Sequence, residues 1–195
     1  MAYCNKRLIL ASGSPRRREL LDKFGISYEI LPAQGEETAP AELSPGERVK
    51  ALAAQKAAEV AGRVNDPEAV ILAADTLVEL DGAVLGKPGT LEKAREMLRA
   101  LSGKAHRVWS GVCIREGETA ACESECTAVH FRPLSDAEIG AYIATGEPLD
   151  KAGAYGYQGL ASLFVERIEG DFFNVMGLPV CRMGQMLREF DISLL

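Results

Sequence analysis

Residues 7–18 read RLILASGSPRRR, and this stretch decides how the first part of the chain folds. The apolar run 7–11 predicts a short buried strand, and the turn-forming residues 12–15 end it. Apolar residues recur at helical spacing over 16–24, so we expect a helix that Gly25 terminates. A strand, a tight turn and a helix in this order are typical of an α/β fold.

The rest of the chain continues to mix strand and helix patterns, without repeats or linkers. The predicted strands are 27–31, 69–74, 105–115, 119–131 and 163–168, and a hairpin with Asp81-Gly82 as its turn is expected after 69–74. The predicted helices are 46–62, 90–101, 135–145 and 179–190. We therefore expect one domain over residues 1–195 of the mixed α/β (α+β) class. Its architecture should be a central elongated mixed β-sheet flanked by helices, folded as two lobes around a cleft.

Composition limits the function classes. The 195 residues are 47% hydrophobic and 26% charged, which is ordinary for a globular protein. A net charge of −6 argues against an extended nucleic-acid-binding surface. No apolar run approaches the roughly 20 residues that cross a membrane, and a cytoplasmic location is expected. The five cysteines are expected to be reduced thiols, with Cys122 and Cys126 too far apart along one strand to bridge.

The arginines at 16, 17 and 18 suggest an anion site at the start of the first helix. Cations are unfavourable there because they face the positive end of the helix dipole. A bound polyanion would reverse that cost, and guanidinium groups suit phosphate oxygens. The alternative is a solvated basic helix start with Ser14 as its N-cap.

Asp75 is a second candidate for chemistry. It comes directly after the predicted strand 69–74, at the carboxyl end of the sheet, where α/β folds bind ligands. A carboxylate there can hold Mg²⁺ or take a proton from water. The alternative is a turn residue that caps the backbone near Thr76.

Four further features fit phosphate chemistry, and each also has a simpler structural explanation. Lys87 lies in a Gly-Lys-Pro turn, and Lys56 stands alone in an apolar helix; either could be a surface lysine. Glu36 and Glu37 could hold a divalent ion or belong to a solvated acidic loop. Gln158 lies in the glycine-rich run 151–159 and offers a paired donor and acceptor for a base edge, unless that run is a turn packed on the core.

Taken together, these motifs resemble the Maf family of nucleoside triphosphate pyrophosphatases, once described as septum-formation proteins. The resemblance runs nearly end to end. It is carried by Leu8–Arg17, Ala74-Asp75-Thr76, Gly86-Lys87-Pro88, Leu101-Ser102-Gly103, Phe131–Leu134, Gly146–Tyr155 and Gly177-Leu178-Pro179. The run 151–159 looks like the branch that acts on dTTP and UTP, whereas the 7-methyl-GTP branch typically has Ser-Glu-Gly at 157–159.

The resemblance also implies a role for each candidate residue. Asp75 would be the general base for an attacking water. The residues implied to bind phosphates are Ser14, Arg16, Arg17, Lys56 and Lys87. Glu37, with Glu36 as the alternative, would share a divalent cation, Mg²⁺ or Mn²⁺, with Asp75. The selectivity positions look like Arg16, Thr76 and Gln158.

The implied activity is metal-dependent hydrolysis of a nucleoside triphosphate, dTTP or UTP, to nucleoside monophosphate and pyrophosphate. Such an enzyme would have a housekeeping role in the nucleotide pool, and this activity would be linked to cell-division arrest. One alternative is a pyrophosphatase for 7-methyl-GTP or another modified nucleotide. The other is a nucleotide-binding division regulator without catalysis. The expected partner is the nucleotide, with no extended nucleic acid and no membrane; whether the active form is a homodimer is left open.

Overall fold

The computed structural model describes residues 6–35, 38–40 and 42–195. The strands in these ranges are β1 (Leu8–Leu10), β2 (Glu29–Ile30), β3 (Val70–Leu80), β4 (Ala83–Leu85), β5 (Ala105–Glu116), β6 (Thr119–Phe131) and β7 (Val165–Glu169). The α-helices are α1 (Pro15–Asp22), α2 (Pro45–Val64), α3 (Leu91–Leu101), α4 (Asp136–Ala144), α5 (Phe172–Val175) and α6 (Val180–Arg188). Short 3-10 turns lie at Glu147–Asp150, Ala152–Ala154 and Leu160–Leu163.

The strands form one mixed sheet in the order β2-β1-β3-β5-β6-β7, with β4 paired to β3. β1 runs parallel to both β2 and β3, whereas β4 is antiparallel to β3 and β7 is antiparallel to β6. Helix α1 links the parallel strands β1 and β2, and a tight turn at 81–82 links the antiparallel strands β3 and β4. The antiparallel strands β6 and β7 are joined by a longer segment that contains α4 and the 3-10 turns. The predicted fold class, a mixed sheet with flanking helices, is confirmed.

The chain divides into two compact units. Unit 1 contains the described residues up to Asp75 together with Ser110–Glu125 and Gly177–Leu195, and unit 2 contains Thr76–Trp109 and Cys126–Met176. Each unit has its own apolar core. The core of unit 1 comprises Ile9, Ala11, Ala53, Ala57, Val60, Ala69, Ile71, Ala73 and Cys113. The core of unit 2 includes Val78, Leu98, Val129, Phe131, Ile139, Tyr142, Tyr155 and Phe164.

Small residues let α2 pack closely on the sheet of unit 1. Ala53 and Ala57 are fully buried one helical turn apart on the inner face of α2. On the sheet side, Gly111 of β5 lies directly against the backbone of α2 at Val49 and Lys50. A Cβ atom at position 111 would overlap the Val49 carbonyl, so only glycine fits this contact.

Gly111→Ala is therefore expected to lower the free energy of unfolding by about 1–3 kcal/mol, because overpacked cores must shift backbone. Urea unfolding followed by circular dichroism measures the change. The matched control is Gly62→Ala in α2, an exposed position where an added Cβ meets nothing within 4 Å. There the helix propensity of alanine should raise stability by up to about 1 kcal/mol. Equal stability of Gly111→Ala and the wild type would contradict the close contact.

The expectation of five reduced thiols is wrong for two of them, because Cys113 and Cys122 form a disulfide. The prediction missed this pair because it considered the spacing of cysteines within one strand. Cys113 belongs to β5, whereas Cys122 belongs to β6 of the same hairpin. Cys4 lies outside the described residues. In the part of the chain that the structure describes, no helix has the length and apolarity needed to cross a bilayer.

Candidate functional site

The start of α1 carries a cluster of positive charge. Pro15 is the first residue of the helix, and Arg16, Arg17 and Arg18 follow it without any acidic residue in the first turn. Ser14 is the N-cap residue, as the alternative expects, but in the described structure its hydroxyl makes no capping hydrogen bond. Backbone N–H groups, the helix dipole and guanidinium groups thus favour an anion at the same place.

Arg17 also has a structural role that the sequence did not reveal. Its Nε donates to the carbonyl of Gly177 at 2.8 Å, and its Nη1 donates to Ser12 Oγ at 3.0 Å. Ser12 is buried, and its hydroxyl also accepts the backbone N–H of Ser14 at 3.3 Å. Ser12 thus fixes both the turn and the guanidinium, and its only signal in the sequence is a small hydroxyl residue at a strand end.

Asp75 lies within β3, so the expectation that it follows the end of a strand is wrong. β3 continues to Leu80, and Val78 to Leu80 pair with β4. Prediction stopped at Asp75 because Asp is unfavourable in strands, whereas the apolar residues beyond Thr76 and the pairing with β4 extend the strand. The side chains of Asp75 and Lys56 form an ion pair, with Nζ and Oδ1 2.7 Å apart.

The Lys56–Asp75 ion pair is largely shielded from solvent within unit 1. The two side chains are only 12% and 14% exposed, so Lys56 is not the surface lysine of the simpler explanation. Removing two charges from water costs free energy that their attraction barely offsets, so stability alone explains such a pair poorly. Its low exposure makes the pair a candidate for a functional role.

The strand before the arginine-rich turn pairs with the strand that carries Asp75. Leu10 of β1 is in register with Leu72 of β3, and the N–H of Ala11 donates to the carbonyl of Leu72 at 2.8 Å. Unit 1 therefore contains both the cationic helix start and the lysine-bound carboxylate.

Unit 2 holds the remaining candidates, Thr76, Lys87 and Gln158. Thr76 is half-buried in β3, and Lys87 is exposed in the turn between β4 and α3. The carbonyl of Gly86 accepts the N–H of Gly153 at 3.1 Å, so the lysine turn is joined to the glycine-rich run 151–159. Gly153 has a φ of +68° and packs against Val78, which explains why a glycine occupies this position.

The run 151–159 is anchored on the core at Tyr155 and exposed at Gln158. The Tyr155 hydroxyl lies 2.8 Å from His106 Nε2, and both side chains are buried. Burial, with a smaller contribution from His130, lowers the pKa of His106 to about 4. Burial also raises the pKa of Tyr155. Both groups are therefore neutral at physiological pH, and the anchor does not titrate there.

The expected metal ligands are described only in part. Asp75 lies in the described chain, whereas Glu36 and Glu37 fall outside it. The described residues contain no group of three or more His, Cys, Asp or Glu side chains suited to a metal ion.

The chain is similar to known proteins over nearly its whole length. A family model described as Maf-like protein matches residues 7–190. A protein of Alkaliphilus oremlandii (strain OhILAs) named dTTP/UTP pyrophosphatase is 50% identical over 193 residues, covering 97% of this chain and 100% of the relative. One of Bacillus cereus (strain G9842) with the same name is 47% identical over 188 residues, covering 96% and 97%.

The fold is also found in a solved structure. The Staphylococcus aureus Ham1 protein matches 95% of this chain and 100% of its own with a TM-score of 0.53. Its sequence identity is 13%, so this likeness concerns the fold alone.

Proposed function

The chain belongs to the family of Maf-like proteins, and from this premise we propose that it hydrolyses dTTP or UTP to nucleoside monophosphate and pyrophosphate. The observation that carries the proposal is the shielded Lys56–Asp75 pair, in the same unit as the arginine-rich start of α1. The names of the relatives support the same substrates.

Phosphate binding is assigned to the start of α1. Arg16, Arg17 and Ser14 present cationic and hydroxyl donors where the helix dipole already favours an anion. Since the Arg17 guanidinium is fixed by Ser12 and Gly177, its orientation is set before the nucleotide arrives. Lys56 and Lys87 contribute ammonium groups toward the charge of the triphosphate.

Asp75 is assigned as the general base. Its carboxylate takes the proton of a water molecule while the water oxygen attacks the α-phosphorus. The bond from that phosphorus to the oxygen bridging the α- and β-phosphates breaks, and pyrophosphate leaves with the electron pair. Lys56 holds the carboxylate through Oδ1, so that the proton acceptor keeps one orientation.

A divalent cation fits the donor chemistry of this site. Asp75 is a partly shielded carboxylate, and carboxylate oxygens are the ligands that Mg²⁺ and Mn²⁺ prefer. Glu37, with Glu36 as the alternative, is the second ligand in the proposal. Such a cation, held by Asp75 and Glu37, would neutralise negative charge on the phosphate oxygens.

Selection of the base is assigned to Gln158 and Thr76, with Arg16 as a further selectivity position. The exposed Gln158 amide carries a donor and an acceptor, which suit the paired groups on the edge of a pyrimidine. An amide can distinguish bases only if its orientation is fixed, because Asn and Gln amides are pseudo-symmetric.

The test is pyrophosphate release from dTTP, UTP, CTP, GTP and 7-methyl-GTP. We expect kcat/KM to be highest for dTTP and UTP, by about tenfold or more. EDTA should abolish turnover, and added Mg²⁺ or Mn²⁺ should restore it. A preference for 7-methyl-GTP would contradict the assigned substrates, and tight binding without turnover would identify a nucleotide-binding regulator instead.

We also propose a cytoplasmic location, where the nucleoside triphosphate pool is used. Light scattering on the same sample, with and without dTTP, decides between a monomer and a homodimer as the active form.

A further inference from the structure

The turn that carries Gln158 is closed by an internal hydrogen bond, and each of its ends is held by a further hydrogen bond. The N–H of Gly159 donates to the carbonyl of Gly156 at 3.0 Å, which closes the turn around Tyr157 and Gln158. At one end, the N–H of Gly156 donates to the Tyr142 hydroxyl at 3.2 Å. At the other end, the N–H of Leu160 donates to Glu147 Oε2 at 3.2 Å.

The two anchoring groups are themselves connected. The Tyr142 hydroxyl donates to Glu147 Oε1 at 2.9 Å, so one carboxylate accepts from the phenol and from the backbone of the turn. Tyr142 is buried in α4, with its ring edge-to-face against Phe164 at 5.1 Å. Core packing therefore fixes the position of the Tyr142 hydroxyl, and the hydrogen bond from Gly156 to this hydroxyl fixes the start of the turn.

The Glu147 carboxylate accepts a backbone hydrogen bond rather than pairing with a cationic side chain. No Lys, Arg or His in the described chain forms a salt bridge with its carboxylate. Its approach to the turn depends on Gly159, because a Cβ atom there would overlap the carboxylate. Glycine at 159 thus leaves room for the carboxylate in its observed position, and its φ of −99° is an ordinary backbone angle.

We infer that Glu147 and Tyr142 are positioning residues that set nucleobase selectivity by fixing both ends of the Gly156–Leu160 turn that presents Gln158. This inference rests on the proposed function, in which Gln158 faces the base. A turn flanked by glycines would otherwise sample several conformations, and a mobile amide cannot separate one base edge from another. The Tyr157 ring, packed edge-to-face on Phe172 at 5.1 Å, holds the middle of the same turn.

The variants that test this are Tyr142→Phe, which removes one hydroxyl and keeps the packed ring, and Glu147→Gln, which keeps the shape and removes the charge. The probes are the α,β-methylene analogues of dTTP, UTP and CTP, in which a carbon bridge blocks cleavage. Each variant is expected to reduce the preference for the dTTP and UTP analogues over the CTP analogue by about tenfold in Kd. In turnover, KM for dTTP should rise while kcat stays within about threefold.

A double-mutant cycle shows whether the effect passes through Gln158. In a Gln158→Ala background, Glu147→Gln should no longer change the analogue preference, because the side chain that it positions is absent. The matched control is Glu138→Gln in the same helix as Tyr142, whose carboxylate also accepts a backbone N–H, that of Ser135. This control should leave the preference unchanged.

Two results would overturn the inference. One is an unchanged analogue preference in folded Tyr142→Phe and Glu147→Gln, with stability alone affected. The other is additivity of Glu147→Gln with Gln158→Ala. Pyrophosphate release from dTTP by the wild type tests the proposed function separately, since the analogue preference is measured without turnover.

Discussion

Asp75→Asn is expected to reduce kcat for dTTP by about 10³-fold, within the range found when a general base is removed. The amide has nearly the shape of the carboxylate but cannot accept a proton from water. Its oxygen can still accept a hydrogen bond from Lys56 Nζ, which lies 2.7 Å from Oδ1 in the wild type, so the fold should be retained. Calorimetric titration should still detect binding of dTTP, because the groups at the start of α1 are unchanged.

The control for Asp75→Asn is Asp66→Asn. Asp66 belongs to the same unit and accepts a hydrogen bond from Arg7 at 3.3 Å, but it is not assigned to the reaction. Its turnover should match that of the wild type. If Asp75→Asn turned over dTTP within tenfold of the wild type, Asp75 would not be the base.

Lys56→Met is expected to reduce kcat/KM for dTTP by about 10²-fold, the effect of removing one cationic donor from a preorganised site. Methionine keeps most of the length of the side chain and fills the same space on α2. The carboxylate of Asp75 then loses the group that orients it, and the phosphates lose one positive charge.

Lys50→Met is the matched control for Lys56. Lys50 lies in the same helix, is 36% exposed, and has its Nζ 3.8 Å from Glu47, a separation at which exposed pairs contribute little. Its kcat/KM should equal that of the wild type. A loss of less than threefold in Lys56→Met would mean that the ion pair is structural and does not serve the reaction.

The local parts of this account could be predicted from sequence. The strand, turn and helix over 7–24 follow from apolar spacing and turn residues, as does the β5–β6 hairpin. The capping box of α4, in which Ser135 and Glu138 exchange hydrogen bonds, is also a short-range pattern. Contacts within a few residues carry their own signal, so these elements were found.

The missed features depend on residues far apart in the chain. The disulfide joins two strands. A glycine is needed at 111 because a helix some sixty residues earlier in the chain lies against it. Buried Ser12 accepts a hydrogen bond from Arg17. Glu147 reads as an ordinary acidic residue until the turn at 156–160 folds onto it. None of these contacts has a period or a motif, because they are created by tertiary packing.

Lys56 could be predicted from the sequence only in part. Its isolation in an apolar helix is visible in the sequence and marks it as unusual, but that pattern does not name its partner. Only the packing of α2 on β3 identifies the partner as Asp75.

The most direct test of the central claim is to let the wild type hydrolyse dTTP in ¹⁸O-labelled water and to determine which product carries the water oxygen. The proposal predicts equal amounts of dTMP and pyrophosphate by ³¹P NMR, with the label in dTMP, because water attacks the α-phosphorus. Formation of dTDP with orthophosphate, or label in the pyrophosphate, would contradict it.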